Sequence, residues 1–408
     1  MELRTVATVL PTAVSAGLYA GVHATFFLEM IRRPTNPLPP IRPWVSILKP
    51  VAGADDELQD NLASFAALDY PAYEILIGVA SPADPAVPIV EAFLAAHPAL
   101  PAQLVWTRPA PPGKNPKVAQ LLELTRRARG SVLVVSDANV RVPRTYLRSL
   151  VDRLLRPGVG LVSSVIVGGG ERSLGAALEN AQLGAAIAPV VVSAPRLAGR
   201  PITVGKSMAM RRADLERAGG WESVAAVLAE DDVLGQRFHA LGYGVEVCLC
   251  PVENRNVATP VQRTIERHAR WAKMRRAVTP TCFALEPLLS PLLVAAIAAI
   301  ALPSPLAARI VLAALGLQLA GALLVHTLLG ARRPLLLAAL EPARVALGVA
   351  CYALALASRR VCWRGHTFVL EEGSRLVPVT GEGAVDSQRF RVIRGSIGRL
   401  LRSPSWLS

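Results

Sequence analysis

The chain has 408 residues, 52% of them hydrophobic, with 44 Lys+Arg against 30 Asp+Glu and a net charge of +14. Its mean hydropathy is +0.39. This is too apolar for an ordinary soluble enzyme and too charged for a chain made only of membrane spans, and it fits a water-soluble domain carried on membrane segments. The basic excess suits anionic lipid headgroups and a phosphate-bearing ligand. No basic run with interleaved aromatics forms a nucleic-acid reading motif, so nucleic acid is not an expected partner. Five cysteines, Cys248, Cys250, Cys282, Cys351 and Cys362, show neither zinc nor disulfide spacing and read as inert thiols of a reducing compartment.

From the N-terminus, residues 5–28 hold no Asp, Glu, Lys or Arg over 24 residues. As a helix this run would be ~36 Å long, enough to cross a bilayer. A retained anchor (1–31) is expected rather than a cleaved signal, because Arg32 and Arg33 follow where a small-residue cleavage site would stand. The basic residues Arg32, Arg33, Arg42 and Lys49 then predict a cytoplasmic location for the chain beyond the anchor.

Short apolar runs next alternate with helical patterns. Strands are predicted at 44–51, 74–80, 103–107 and 132–136. Helices are predicted after Asp55 or Asp56 through Ala67, and at 86–97, 117–128 and 143–155. Such alternation implies parallel pairing and an α/β layered domain (44–280), with ligands beyond the carboxyl ends of the strands. Gly168–Gly170 reads as a loop. No nucleotide-binding glycine fingerprint is present.

Asp137 and Asn139 flank one small residue where the fourth strand ends. Two oxygen-bearing side chains there suit Mg²⁺ or Mn²⁺ with a diphosphate completing the shell, and an Asx-turn is the plainer alternative. Glu230, Asp231 and Asp232 precede an amphipathic run. Acids favour a helix start, but one would suffice, so a general base toward an alcohol is the competing reading. Arg267, Arg270 and Trp271 fall within about one helical turn and can share a face suited to phosphate oxygens and a sugar, or can lie on anionic lipid. Lys114, Lys117 and Lys206 are candidate phosphate contacts, against a solvated alternative.

Apolar stretches at about 287–303, 305–330 and 335–357 close the membrane part (281–358), followed by a basic tail (359–408) expected to be cytoplasmic. Three full crossings would put that tail outside, so one stretch is expected not to span. Half of the stretch 335–357, which holds Glu341, Pro342 and Arg344, is expected to lie along the interface or re-enter.

The segments KPVAGADDELQDNL (49–62), DYPAYEIL (69–76), GKNPKV (113–118), SDANV (136–140), VGKSMAMRR (204–212), AEDDVLGQRF (229–238) and RHARW (267–271) stand in order. Together they resemble a family A inverting glycosyltransferase, and more closely the ceramide glucosyltransferase family. The resemblance implies a GT-A-type, Rossmann-like, mostly parallel sheet domain with N- and C-terminal membrane helices. It implies a UDP-sugar donor, UDP-glucose first, a ceramide-like lipid acceptor in the bilayer, and a divalent metal. It places the metal at Asp137 and Asn139, the base at Asp231, and Arg267, Arg270 and Trp271 in the (Q/R)xxRW signature. Asp137 and Lys117 are expected at the nucleotide sugar. The family's aspartate near the nucleotide base falls at Ser81 here, with Asp84 three residues on. The expected location is the inner membrane of a bacterium, in a multi-pass arrangement. Competing readings are an N-acetylglucosaminyl transfer from UDP-GlcNAc to a hopanoid or other polyol lipid, a polysaccharide synthase, and a non-enzymatic lipid-binding scaffold.

Overall fold

The computed structural model describes residues 2–32, 42–54, 57–363 and 366–379. Helix α1 (Glu2–Ile31) leads to strands β1 (Val45–Val51), β2 (Tyr73–Val79), β3 (Ala102–Trp106) and β4 (Val132–Ser136). Between them lie helices α2 (Leu58–Ala66), α3 (Val87–Ala96) and α4 (Pro116–Arg127). There follow β5 (Val140–Arg141), α5 (Tyr146–Leu154), β6 (Val159–Gly169), α6 (Leu174–Ala181), a π-helical stretch Gln182–Ile187 and α7 (Ala188–Leu197). Next come β7 (Ser207–Arg211), α8 (Arg212–Arg217), α9 (Glu230–Ala240), β8 (Gly244–Arg255) and α10 (Val261–Val278). The remainder is α11 (Pro280–Leu285), α12 (Pro291–Ala301), α13 (Pro305–Leu328), α14 (Pro334–Ala339), α15 (Glu341–Ala357), β9 (Arg360–Trp363), β10 (His366–Leu370) and β11 (Leu376–Pro378).

β1 to β8 form one sheet in the order β3-β2-β1-β4-β7-β6-β8-β5. β1 to β4 are parallel to one another, β6 is parallel to β8, and β7 runs against both β4 and β6. The inner strands are apolar on both faces because both are covered. Ile47, Ile75, Ile77 and Val134 pack with Phe65, Phe93 and Leu150 of α2, α3 and α5. Leu48, Leu76, Leu133 and Val135 pack with Leu121 and Leu124 of α4 and Leu234 and Phe238 of α9. The four predicted strands and their helices thus stand within a few residues of their expected places.

Three local expectations need correction. Gly168 and Gly169 belong to β6, not to a loop. A Cβ at Gly168 would sit 2.3 Å from Asn180 Oδ1 and one at Gly169 would sit 2.0 Å from Glu253 Oε1, so close approach explains these glycines. Asp55 and Asp56 lie outside the described residues, and the position before α2 is Glu57, at φ 56° with no side-chain cap. Lys49 is no flanking surface charge: it is fully buried, its Nζ donating to Asp137 O at 3.0 Å and lying 3.8 Å over the Phe65 ring.

Arg4–Ile31, Leu174–Leu197 and Pro305–Leu328 are long and apolar enough to cross a membrane. The pair Pro280–Leu289 and Pro291–Ala301 makes a fourth if its 75° bend is taken within one span. Leu174–Leu197, absent from the sequence expectations, is 78% buried within the protein. It is interposed between the sheet and the apolar helices: Val165 and Val167 of β6, Ala188 and Val192 of α7, Phe26 of α1 and Val325 of α13 form one cluster. α15 starts in a buried polar network instead of an apolar turn. Arg344 donates to Glu341 Oε1 at 2.7 Å and to Gln182 Oε1 at 3.1 Å, and Gln318 of α13 donates to Glu341 Oε2 at 2.8 Å. Pairing is what makes such charges tolerable away from water.

The stretch expected as a tail from Arg359 is folded where it begins: β9, β10 and β11 make a three-stranded antiparallel sheet. Residues 380–408 lie outside the described residues.

Candidate functional site

The antiparallel register of β4 and β7 pairs Ser136 with Ser207. One step beyond that pair Asp137 and Lys206 face each other, the Asp137 N–H donating to Lys206 O at 3.2 Å. The Lys206 side chain then turns onto the strand end, 3.2 Å from Asp137 Oδ2, and donates to Asn139 Oδ1 at 2.8 Å. The backbone of Asn139 is fixed by Arg255 N–H at 2.8 Å, where β5 joins β8.

Lys117 enters from the first turn of α4. Its Nζ lies 2.9 Å from Asp137 Oδ1, 3.0 Å from Glu230 Oε1 and 3.0 Å from Gly205 O. An ammonium has three N–H donors, and these three acceptors use them all. Asn115 caps the same helix, accepting from Lys117 N–H at 2.9 Å and donating from Nδ2 to Glu230 Oε2 at 3.0 Å.

The acid triplet at the start of α9 separates into three environments. Glu230 is buried and held by Lys117 and Asn115. Asp232 is paired with Arg200 at 2.5 Å. Among the described residues Asp231 alone of the three has no cation at ion-pairing distance. Its oxygens accept backbone N–H groups, Gly205 at 2.6 Å and Asp232 at 2.9 Å. A Cβ on Gly205 would stand 2.8 Å from Asp231 Oδ2 and 2.9 Å from Lys117 Nζ, so any side chain there would displace the carboxylate or the ammonium.

Electrostatics follow the geometry. Burial, then the neighbouring Glu230 charge, push Asp231 up to about 7, against the pull of Lys117 and the two backbone N–H groups. Burial also pushes Asp137 up, but Lys117 and Lys206 outweigh it and hold that carboxyl well below the usual range. Burial works against charge on Lys117 too, and Asp137, Glu230 and Asp231 together raise it above an ordinary lysine. Two carboxylates at one strand edge are thereby driven apart, one permanently ionised and one able to exchange a proton near neutrality.

α10 carries the arginine and tryptophan signature beside this cluster. Trp271 packs against the sheet's main core and meets His268 edge-on at 4.8 Å. Burial, then Arg275, Arg267 and Arg270, lower His268 to about 3, so it is neutral at physiological pH. Arg267 is held by the fully buried Glu179 of α6 and by Asn256 Oδ1 at 3.2 Å. Met274, farther along α10, packs against the cluster of Leu228, Val361, Phe368, Leu370 and Leu376, which joins the small sheet to the residues before Glu230. Ser81 and Asp84 lie after β2 on the same sheet edge. Asp84 accepts from Gly53 N–H at 3.0 Å and Ala86 N–H at 2.9 Å, tying the loop after β1 to that after β2, and Ser81 Oγ accepts from Ala83 N–H at 3.2 Å. A cavity of about 250 Å³ lined by Lys273, Arg276 and Arg359 lies elsewhere, between α10, α15 and the small sheet.

Asp137 and Asn139 offer one carboxylate and one amide oxygen, hard donors suited to Mg²⁺ or Mn²⁺ when a diphosphate supplies more oxygens. Among the described residues no group of three or more His, Cys, Asp or Glu forms a metal cage. The pair therefore fits a cation shared with a nucleotide, at a position the Lys206 ammonium now bridges.

Sequence reasoning missed the C-terminal sheet. Leu228 N–H donates to Ser374 O at 3.0 Å, Ala229 N–H donates to Ser374 Oγ at 3.0 Å, and Leu376 N–H donates to Ala226 O at 2.8 Å. Pro378 also packs on Gly113, where a Cβ would lie 3.1 Å from its ring. The small sheet thus grips the loops that lead into α4 and α9. Ser374 is fully buried at φ 59°, so Ser374→Gly removes the hydroxyl without adding backbone strain. The orphaned Ala229 N–H is worth about 1–3 kcal/mol. Turnover is expected to fall several-fold with donor KM unchanged, read from steady-state kinetics; an unaltered rate means that Ser374 does not position Asp231.

Residues 8–376 match the family model of glycosyl transferase family 21. The chain belongs to glycosyl transferase family 21. Its relatives include ceramide glucosyltransferase 1 of Caenorhabditis elegans, 27% identical over 270 residues, covering 65% of this chain and 58% of that protein. Ceramide glucosyltransferase of Komagataella phaffii is 34% identical over 128 residues, 31% of this chain and 25% of that protein. The family 21 chain thus spans a little over half the length of the first of these. Among solved structures it is similar to a mannosyltransferase from Pyrobaculum calidifontis in complex with GDP-Man and Mn²⁺. The TM-score is 0.51 at 22% identity, covering 85% of this chain and 97% of that one. At that identity the likeness establishes the GT-A-like fold of this family 21 chain.

Proposed function

We propose that this family 21 chain is a membrane-bound inverting glycosyltransferase that moves a hexose from a UDP-sugar, UDP-glucose first, to a lipid hydroxyl of the ceramide kind. The observation that carries the reading is Asp231: a carboxyl without a cation partner, raised to about 7, beside the permanently ionised Asp137 at the carboxyl edge of the sheet. Family membership and the ceramide glucosyltransferase relatives support the sugar and acceptor classes.

In this mechanism Asp231 accepts the proton of the acceptor hydroxyl as its oxygen attacks the anomeric carbon opposite the departing UDP, and the centre inverts. Gly205 and Asp232 N–H groups orient the carboxylate, and Lys117 pairs with Glu230 and holds Asp137 ionised beside it. Arg267 and Arg270 add positive charge on the α10 side. A divalent cation bound through Asp137 and Asn139 would neutralise charge growing on the leaving diphosphate. The proposed organisation is an anchor (1–31), a cytoplasmic catalytic domain (44–280) and C-terminal membrane helices (281–358). The acceptor then reaches Asp231 from headgroup level.

The test is mass spectrometry of lipid extracts from cells with and without the gene, with in vitro transfer from UDP-glucose to ceramide. A ceramide gaining one hexose is the expected result. Gain of one N-acetylhexosamine on another lipid replaces the donor and acceptor assignments, and no gain on any lipid, with no UDP affinity in a thermal-shift assay, overturns the enzymatic reading.

A further inference from the structure

The geometry points to Lys206 as a resident counter-ion that closes the Asp137–Asn139 cation position until a nucleoside diphosphate arrives, so that metal and diphosphate bind synergistically. The inference rests on the nucleotide-sugar reading of the site. It concerns this chain's own lysine, not the metal's identity.

The Lys206 ammonium touches the same two oxygens a metal would need, Asp137 Oδ2 at 3.2 Å and Asn139 Oδ1 at 2.8 Å. A divalent ion takes such oxygens at about 2.0–2.2 Å, which puts it where the ammonium stands, so the two cations exclude each other. The remaining oxygen, Asp137 Oδ1, belongs to Lys117. The two lysines differ in how firmly they are held. Lys117 is fixed by three acceptors, with its helix start capped by Asn115. Lys206 sits on the turn before β7 with two contacts on a four-carbon stem. It is the cation able to swing away. A diphosphate entering at the strand edge offers the ammonium phosphate oxygens and offers a metal its missing ligands. Each then favours the other, and linkage requires that the effect be reciprocal.

The experiment uses the full chain in detergent, with free Mn²⁺ measured by electron paramagnetic resonance with and without UDP. The parent is expected to bind Mn²⁺ weakly alone and about tenfold or more tightly with UDP. Lys206→Met and Lys206→Gln are expected to bind Mn²⁺ about tenfold more tightly than the parent without UDP, because a competing charge is gone, and to gain less from UDP. Adding Asp137→Asn to either variant is expected to abolish the gain. Equal nucleotide-free Mn²⁺ affinity in parent and both variants overturns the proposal, as does tight binding that survives Asp137→Asn. UDP binding measured alone separates the two readings. Its absence sinks the nucleotide-sugar assignment, while the nucleotide-free Mn²⁺ comparison still decides whether Lys206 competes.

Discussion

Asp231→Asn is expected to lower transfer by about 10²–10⁴-fold, the range over which a positioned base contributes to a proton transfer. The substitution keeps the shape and removes the basicity. It also relieves repulsion with Glu230, but it sets an amide NH₂ against one of the two backbone N–H groups that the carboxylate now accepts, Gly205 or Asp232. Those effects oppose each other, so thermal unfolding in detergent should move little while turnover collapses. The parent's pH profile carries a second mark. With Asp231 raised to about 7, the fraction able to accept a proton falls as pH drops through that value, so kcat should decline on the acidic side of neutrality. The acidic limb should be missing from the residual activity of Asp231→Asn. A variant retaining parental kcat would remove Asp231 from the chemistry.

Lys117→Met should damage fold and chemistry together. It withdraws all three donors from Asp137, Glu230 and Gly205, leaving two ionised side chains and a carbonyl without their shared cation. Breaking a buried pair by removing one partner costs about 3–5 kcal/mol, a large share of a domain's stability. The sign for Asp231 is fixed: Lys117 lowers its pKa, so losing Lys117 raises it and moves the acidic limb of any remaining activity to higher pH. A thermal melt and a kcat profile against pH are the two measurements. An unchanged melt with an unchanged limb would show that the ammonium is not the hub of the cluster.

The parallel half of the sheet was legible in the sequence because buried strands advertise themselves: VSILKPV, YEILIGV and VLVVS are short, mostly apolar runs. The acid triplet and SDANV were legible as concentrations of polar side chains at element ends. Their division of labour was not. Nothing local distinguishes Glu230, Asp231 and Asp232; Asn115 and Lys117, the backbone of Gly205 and Arg200 do so, from 26 to 115 residues away in the chain. Lys206 was legible as a candidate phosphate contact or a solvated lysine, but not as a partner of Asp137 and Asn139, since that pairing depends on the β4–β7 register. Lys49 misled, because a charge in a strand reads as exposed unless its partners are known. The helix Leu174–Leu197 escaped notice because its small residues blur the periodicity, and the sheet at 360–378 because its strands are three to five residues long inside an Arg-rich context.

The grip of Ser374 and Leu376 on residues 226–229 has a consequence for assembly. Every group of the proposed chemistry lies before residue 280, so a shortened polypeptide ending there would look complete on paper. It would nevertheless leave the N–H groups of Leu228 and Ala229 without acceptors and Gly113 uncovered. As the ribosome delivers the chain, residues 226–229 can gain these partners only after α13 and α15 have been laid down, so the loop that leads into α9 is supported only once residues 374–378 have emerged.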